Sequence, residues 1–538
     1  MNKKIFFLLL PFLGYGQYNL VNVTNYCGNT NPSRSNRYTH IFEKTENFLV
    51  YKFYKDCQAS GQDSTFSVWA YDGQNPPYKL KYDNGNEVND TSNLWAGELV
   101  NSNNKIFYTK PQIASPNSVG SHKELWYFDE TISKTLVHKV NTTSFPSGCK
   151  TFENLTPFLG GFYYTGDINN TCYIDQNINT TYQFTASRYK NYWNPPFIFS
   201  NTEHNGSLFY KTWKDNTVTS NTIKKYNPTN NQTTSIVSSE NDQFGAYPNY
   251  LTKFKNKLFF INRTTQYGTE IYYYDDANNS INCLDITQGA SSSNPSFLTV
   301  YNDNLYFYNI ANNKYYIYKY DGINPPIIIH QENITTPGGN YDYTGICGYN
   351  GNIYFVRTTS LLGGDQNNFT TELFEYAGSG NAQLVASFPE FRVLPYGPIN
   401  NTLINYLPQF NSSGRSSIFS FKNSLYIVGF QKYGSNFTGE DIWKISPNTT
   451  LSVNTIDRQQ RRDVVVYPNP TNDEVSLKFT KNPKTVKVEI YNAASQWMKT
   501  IDFNDKDELR FKMPESKGTY LLRIISDQKN IVTKVTKK

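Results

Sequence analysis

Histidine and methionine are scarce in this 538-residue chain, with five of the first and three of the second. His40, His122, His138, His204 and His330 never stand at metal-ligand spacing from one another, and no H-E-x-x-H pattern occurs. A nucleophile elbow of the G-x-S-x-G kind and a phosphate-binding loop are missing too. None of the six cysteines forms a C-x-x-C pair, so a zinc site has no ligand set. No cofactor, metal site or catalytic residue is assigned on these grounds. Charge is thin as well, at 17% of residues. The whole net charge of +6 lies between Arg461 and Lys538, where 16 basic residues face 10 acidic ones, while the rest carries 34 of each. A body without a basic field does not hold nucleic acid or an anionic membrane. No stretch of eighteen apolar residues is present to cross a bilayer as a helix. Helical periodicity is absent throughout.

Aromatic residues fill the space, at 16%, with 44 Tyr and 36 Phe. They favour half-buried sheet faces, while Asn, Gly and Ser between them favour turns, so the expected class is all-β. One two-part phrase recurs. Its first part is a small polar or Gly pair before an apolar strand, as in Asn104-Lys105-Ile106-Phe107-Tyr108, Asn256-Lys257-Leu258-Phe259-Phe260 and Gly351-Asn352-Ile353-Tyr354-Phe355. Its second part is a polar residue, an aliphatic one and then aromatics, as in Glu124-Leu125-Trp126-Tyr127-Phe128 and Glu270-Ile271-Tyr272-Tyr273-Tyr274. The first parts centre on 49, 106, 162, 208, 258, 305, 353 and 425, mostly 46 to 57 residues apart, with a last interval of 72. Such a period marks the blade of a β-propeller, whose faces are buried only on neighbouring blades. Eight blades are expected, with seven as the alternative because the third unit has no evident second part after Tyr164. Asp72-Gly73 and Asp321-Gly322 read as tight hairpin turns. Closure is expected to borrow Tyr18 to Val23, and the long interval predicts a surface loop from about Pro389 to Phe421.

The Glu-Leu-Trp tripeptide at 124–126, with Asp-Gly turns in other copies, resembles a family of long secreted bacterial repeat proteins. That likeness implies a propeller without naming a ligand. After Asp463 the pattern changes. Tyr467-Pro468-Asn469-Pro470 stops a short strand, because proline cannot continue a ladder. The strands Glu474 to Phe479, Val486 to Asn492 and Gly518-Thr519-Tyr520-Leu521-Leu522-Arg523-Ile524 follow, and a short basic strand closes the chain. This tail resembles the type A C-terminal sorting domain of proteins exported by the bacterial type IX secretion system. The resemblance implies a small Ig-like β-sandwich read by an outer-membrane translocon, with Tyr467, Pro468, Asn469, Pro470, Gly518 and Tyr520 as motif residues. It is a receptor-read address and no anchor.

The N-terminus agrees. Lys3-Lys4, an apolar run from Ile5 to Leu13 and small residues at Gly14 and Gly16 read as a signal peptide cut between Gly16 and Gln17. The expected plan is a signal peptide over 1–16, a propeller over 17–455, a linker over 456–462 and a sorting domain over 463–538. The protein is then secreted, or held on the outer surface of a Gram-negative bacterium after passage through the periplasm. That compartment permits disulfides, and nearest-neighbour pairing joins Cys27 to Cys57, Cys149 to Cys172 and Cys283 to Cys347 among 15 pairings open to six cysteines.

The leading function is a non-catalytic binding or adhesion module for an extracellular glycan or protein. The alternative is a polysaccharide hydrolase or lyase with its site in the propeller channel. Glu124, Glu270, Glu372 and Asp441 occupy matching places in the repeat. They form either a ring of channel carboxylates or, as the favoured reading has it, structural groups paired with Lys, Arg or backbone donors. Runs such as Tyr272-Tyr273-Tyr274 and Tyr315-Tyr316 put aromatics on both strand faces, a form suited to stacking on sugars where they are exposed.

Overall fold

Every element among the described residues is a β-strand. The computed structural model describes residues 18–24, 42–55, 65–90, 99–111, 122–166, 170–185, 201–212, 222–239, 248–312, 314–333, 341–360, 369–393, 417–433, 436–437, 441–447, 464–479, 483–492, 497–504, 508–526 and 529–538. They fall into two compact units, one built mainly from 19–446 and one from 447–538. The expected linker, the signal peptide with Gly16 and Gln17, and Cys27 and Cys57 lie outside the described residues.

Among the described residues, the first unit holds eight sheets of four to six strands. Their first strands are Phe42–Lys44, Leu99–Ser102, Glu153–Phe158, Thr202–His204, Asn249–Phe254, Ser296–Tyr301, Tyr341–Tyr349 and Ile418–Phe421. Each touches the first strand of the next sheet. The last meets the first through Phe42 and Phe419, whose ring centroids lie 4.3 Å apart, and through Lys44 Nζ, which donates to the Ser420 carbonyl at 2.9 Å. The sheets therefore close a ring, and the fold is a β-propeller. Burial follows the two-residue period of a strand. Leu258, Phe260, Tyr272 and Tyr274 pack toward Phe209 and Ile223 of the fourth sheet. Phe259, Ile261 and Ile271, one position over, pack toward Leu305 and Phe307 of the sixth.

The first residue of the polar pair that opens the repeated phrase is the second residue of the turn between the first and second strands, and the other member of the pair starts the second strand. Asn103/Asn104, Asn205/Gly206, Lys255/Asn256, Asn302/Asp303, Asn350/Gly351 and Lys422/Asn423 all have positive φ at both positions, the geometry of a type I′ hairpin. Asp72-Gly73 and Asp321-Gly322 do something else. Each opens a six-residue loop in which the Asp accepts two backbone amides at 2.8 Å, from Gln74 and Asn75 or from Ile323 and Asn324. The two-residue hairpin expected there is thus corrected to an Asp-anchored loop. Gly73 packs on Phe421 and Lys422, and Gly322 on Phe254 and Lys255. The first sheet therefore follows the eighth as the sixth follows the fifth.

The third sheet supplies the missing second part as Asn170–Ile174, where Cys172 replaces an aromatic. Cys149 bonds to Cys172 as expected. Cys283 and Cys347 are free thiols, which corrects their expected pairing: one lies on an outer strand of the fifth sheet and the other on the inner strand of the seventh. Tyr18–Asn22 lies beside Asp441–Pro447 and completes the last sheet. Of the long interval, Phe391–Arg392 pairs with Ser424–Tyr433, and 394–416 lie outside the described residues.

The second unit is a β-sandwich. Val464–Tyr467, Glu474–Phe479 and Glu508–Lys512 form one sheet, and Trp497–Asn504, Thr485–Asn492, Gly518–Ser526 and Lys529–Lys537 the other. Val475, Leu477, Val488, Ile490, Leu522 and Val535 fill the space between them.

Candidate functional site

The four repeated acids are held as structural groups. Glu124 pairs with Lys139 at 2.5 Å and accepts from Trp126 Nε1 at 3.1 Å. Glu372 pairs with Arg357, whose Nε donates at 2.9 Å. Asp441 accepts from Thr24 Oγ1 at 2.9 Å and from Asn22 Nδ2 at 3.0 Å, fastening the N-terminal segment to the last sheet. Glu270 is fully buried and accepts from the amides of Ser293 and Ile286 and from Ser293 Oγ. Burial pushes its carboxyl up to about 7 against those donors. No group of three metal-ligating side chains occurs among the described residues.

Aromatic platforms are absent from the described propeller surface. Tyr272, Tyr274 and Tyr315 are buried, and Tyr273 and Tyr316 are half-buried. Core packing has used them. His330 is likewise a packing residue, set against the rings of Phe355 and Phe374, and burial lowers it to about 4.

Among the described residues, a cavity of about 370 Å³ is made by equivalent turns of three consecutive sheets. The fourth sheet contributes Glu203, His204 and Asn205, the fifth Lys253 to Asn256, and the sixth Val300 and Asp303. The cavity's charged groups and His204 are already committed. Glu203 accepts from the Gly206 amide and from Lys253 Nζ, both at 2.9 Å. Burial raises the Glu203 carboxyl, but those two donors leave it below its usual value. His204, 2% exposed, places Nε2 2.9 Å from Asp276 Oδ2. Burial outweighs the pull of Asp276 and Glu203 and keeps the imidazole neutral. Lys225 reaches the other Asp276 oxygen at 2.7 Å, and Lys255 lies 3.2 Å from Asp303. Two lysines thus pair with two carboxylates around the half-exposed Val300, while Lys225 and Asp276, outside the lining, pair with each other beside His204. Sequence reading passed over this basin because it weighed His204 as a lone histidine. Aligning the polar pairs of consecutive repeats would have brought Asn205, Lys255 and Asp303 together.

In the second unit, Tyr467 is 39% exposed and ends an edge strand. Asn469 donates from Nδ2 to the Lys534 carbonyl at 2.7 Å and accepts from the Thr536 amide at 3.0 Å. Gly518 opens the strand that carries Tyr520, a buried ring whose hydroxyl donates to the Ser516 carbonyl at 2.7 Å. Residues 465–538 match the secretion system C-terminal sorting domain. The sorting domain directs export to the surface or exterior of a Gram-negative bacterium and implies handling by the type IX secretion machinery. No helix among the described residues is long and apolar enough to cross a membrane.

No curated protein matches the chain. Among solved structures, it is similar to the β-propeller domain of the Trilobed protease from Pyrococcus furiosus, at 11% identity and a TM-score of 0.39, over 65% of this chain and 98% of that one. It is also similar to the acylaminoacyl peptidase of Pyrococcus horikoshii, at 10% identity and a TM-score of 0.36, over 66% of this chain and 53% of the peptidase. The chain thus spans about half of that peptidase's length.

Proposed function

We propose that residues 17–455 form an eight-bladed propeller that works outside the cell as a non-catalytic binding or adhesion module, with an uncharged, hydroxyl-rich carbohydrate as its ligand. One observation carries this reading: every charge in the basin is paired before a ligand arrives. An ionic ligand would have to break the Lys253–Glu203 or Lys255–Asp303 pair, whereas sugar hydroxyls can donate to the carboxylates and accept from the lysines without separating them. The half-exposed Val300 offers an apolar contact for a sugar's C–H face. A hydrolase needs one carboxyl free to give a proton and another free to attack or activate water. Glu203 in the lining and Asp276 beside it are instead held below their usual values, and the four repeated acids brace strands.

The test is incubation of the secreted protein with plant, algal and microbial polysaccharides, scored for retention and for new reducing ends. Retention without cleavage, weakened about tenfold when Asp303→Asn and Lys253→Met are combined, is the expected result. New reducing ends would replace this reading with the hydrolase or lyase alternative. Retention of proteins alone would replace the ligand class.

A further inference from the structure

The loop after Tyr467 returns to the far end of the same domain. Asn469 grips the last strand by its main chain, at the Lys534 carbonyl and the Thr536 amide. Thr471, 2% exposed, continues the contact: its amide donates to the Thr536 carbonyl at 2.8 Å and its carbonyl accepts from the Lys538 amide at 2.9 Å. From the other side Lys537, itself 8% exposed, sends Nζ to Asp473 and to the Pro514 carbonyl, each at 2.9 Å.

Lys529–Lys537 is the edge strand of its sheet, so one row of its backbone groups has no neighbouring strand. An open edge invites pairing with other chains. The loop 469–471 covers that row over the last five residues. The cover adds little to the core, because only Val535 of this end packs inside it. Loss of the cover would therefore release the end of the chain without emptying the sandwich.

We propose that Asn469 is a positioning residue for export, acting through the last strand. It fastens residues 534–538 in the sheet, and the secretion machinery accepts the sorting domain only with that end fastened. The opening motif of the domain and its terminus then act as one surface, with Tyr467, Lys534 and Lys538 exposed around the junction.

The test uses the full chain, with two readouts: the fraction exported by the producing bacterium, and amide hydrogen exchange of the purified protein. Asn469→Ala should speed exchange at 534–538 while the other strands of the domain stay protected, and export should fall at least tenfold, with the protein held in the periplasm. Asp473→Asn, which loosens Lys537 from the opposite side, should give the same pair of changes. Three results overturn the proposal. One is normal export with a loosened strand in either variant. Another is unchanged exchange at 534–538 in Asn469→Ala, whatever its export. The third is loss of protection across the whole domain, which would make Asn469 a general fold stabiliser.

Discussion

Glu270 shows how a single side chain can be right in type and misleading in role. Its place in the repeat made it a channel candidate, but its environment is a dry junction in which Ser293 and Ile286 donate to it. With its carboxyl raised from 4.5 to about 7, the folded state binds a proton that the unfolded state has released. Stability should therefore fall as pH rises from about 4.5 to about 7 and stay level above that, with a total near 3 kcal/mol. Glu270→Gln should flatten that part of a denaturation-versus-pH profile. Residue types and their alternation were readable because burial on a strand has a two-residue period. Partners were not, since Glu203 meets Lys253 across 50 positions and His204 meets Asp276 across two sheets.

At the scale of elements, turns were found more reliably than they were typed. Small polar or Gly residues before an apolar strand announce the repeat, and in six copies that residue closes a type I′ turn with positive φ at both central positions. Asp-Gly was read by the same rule and failed, because in Asp72 and Asp321 the carboxylate captures the next amides and lengthens the loop. The glycines are still required there. Gly322→Ala puts a Cβ 2.8 Å from Lys255 Cδ at a φ of +87°, and Gly73→Ala puts one 3.2 Å from Lys422 Cδ at +86°. Each should cost about 1–2 kcal/mol in chemical denaturation, with the greater loss at Gly322. The second part of the third unit escaped notice because a cysteine stands where its relatives have an aromatic. Its crosslink spans 23 residues, so Cys149→Ser with Cys172→Ser should cost about 3 kcal/mol, read as a lowered denaturation midpoint. The first strands of the sheets carry no shared phrase, and some, such as Thr202–His204, are only three residues long.

For the whole molecule, a count of repeats foretold a ring, and the strand that closes it was visible as an apolar piece with no repeat of its own. What no pattern of composition reveals is the fastening: Asp441 holds Thr24 and Asn22 across more than four hundred residues. Asp441→Ala should cost about 3 kcal/mol, because it strands buried donors as well as losing charge-assisted bonds. Limited proteolysis should then cut first near Asn22. The same closure bears on the order of events in the life of the chain. The eighth sheet joins Tyr18–Asn22 to strands made about four hundred residues later, and contacts over such separations form late. The first strand must wait, unpaired, until Asp441–Pro447 has emerged, and the sorting domain follows within about twenty residues. A product broken off early thus lacks both a finished ring and an address. Only a chain made past its eighth sheet carries the label that sends it out.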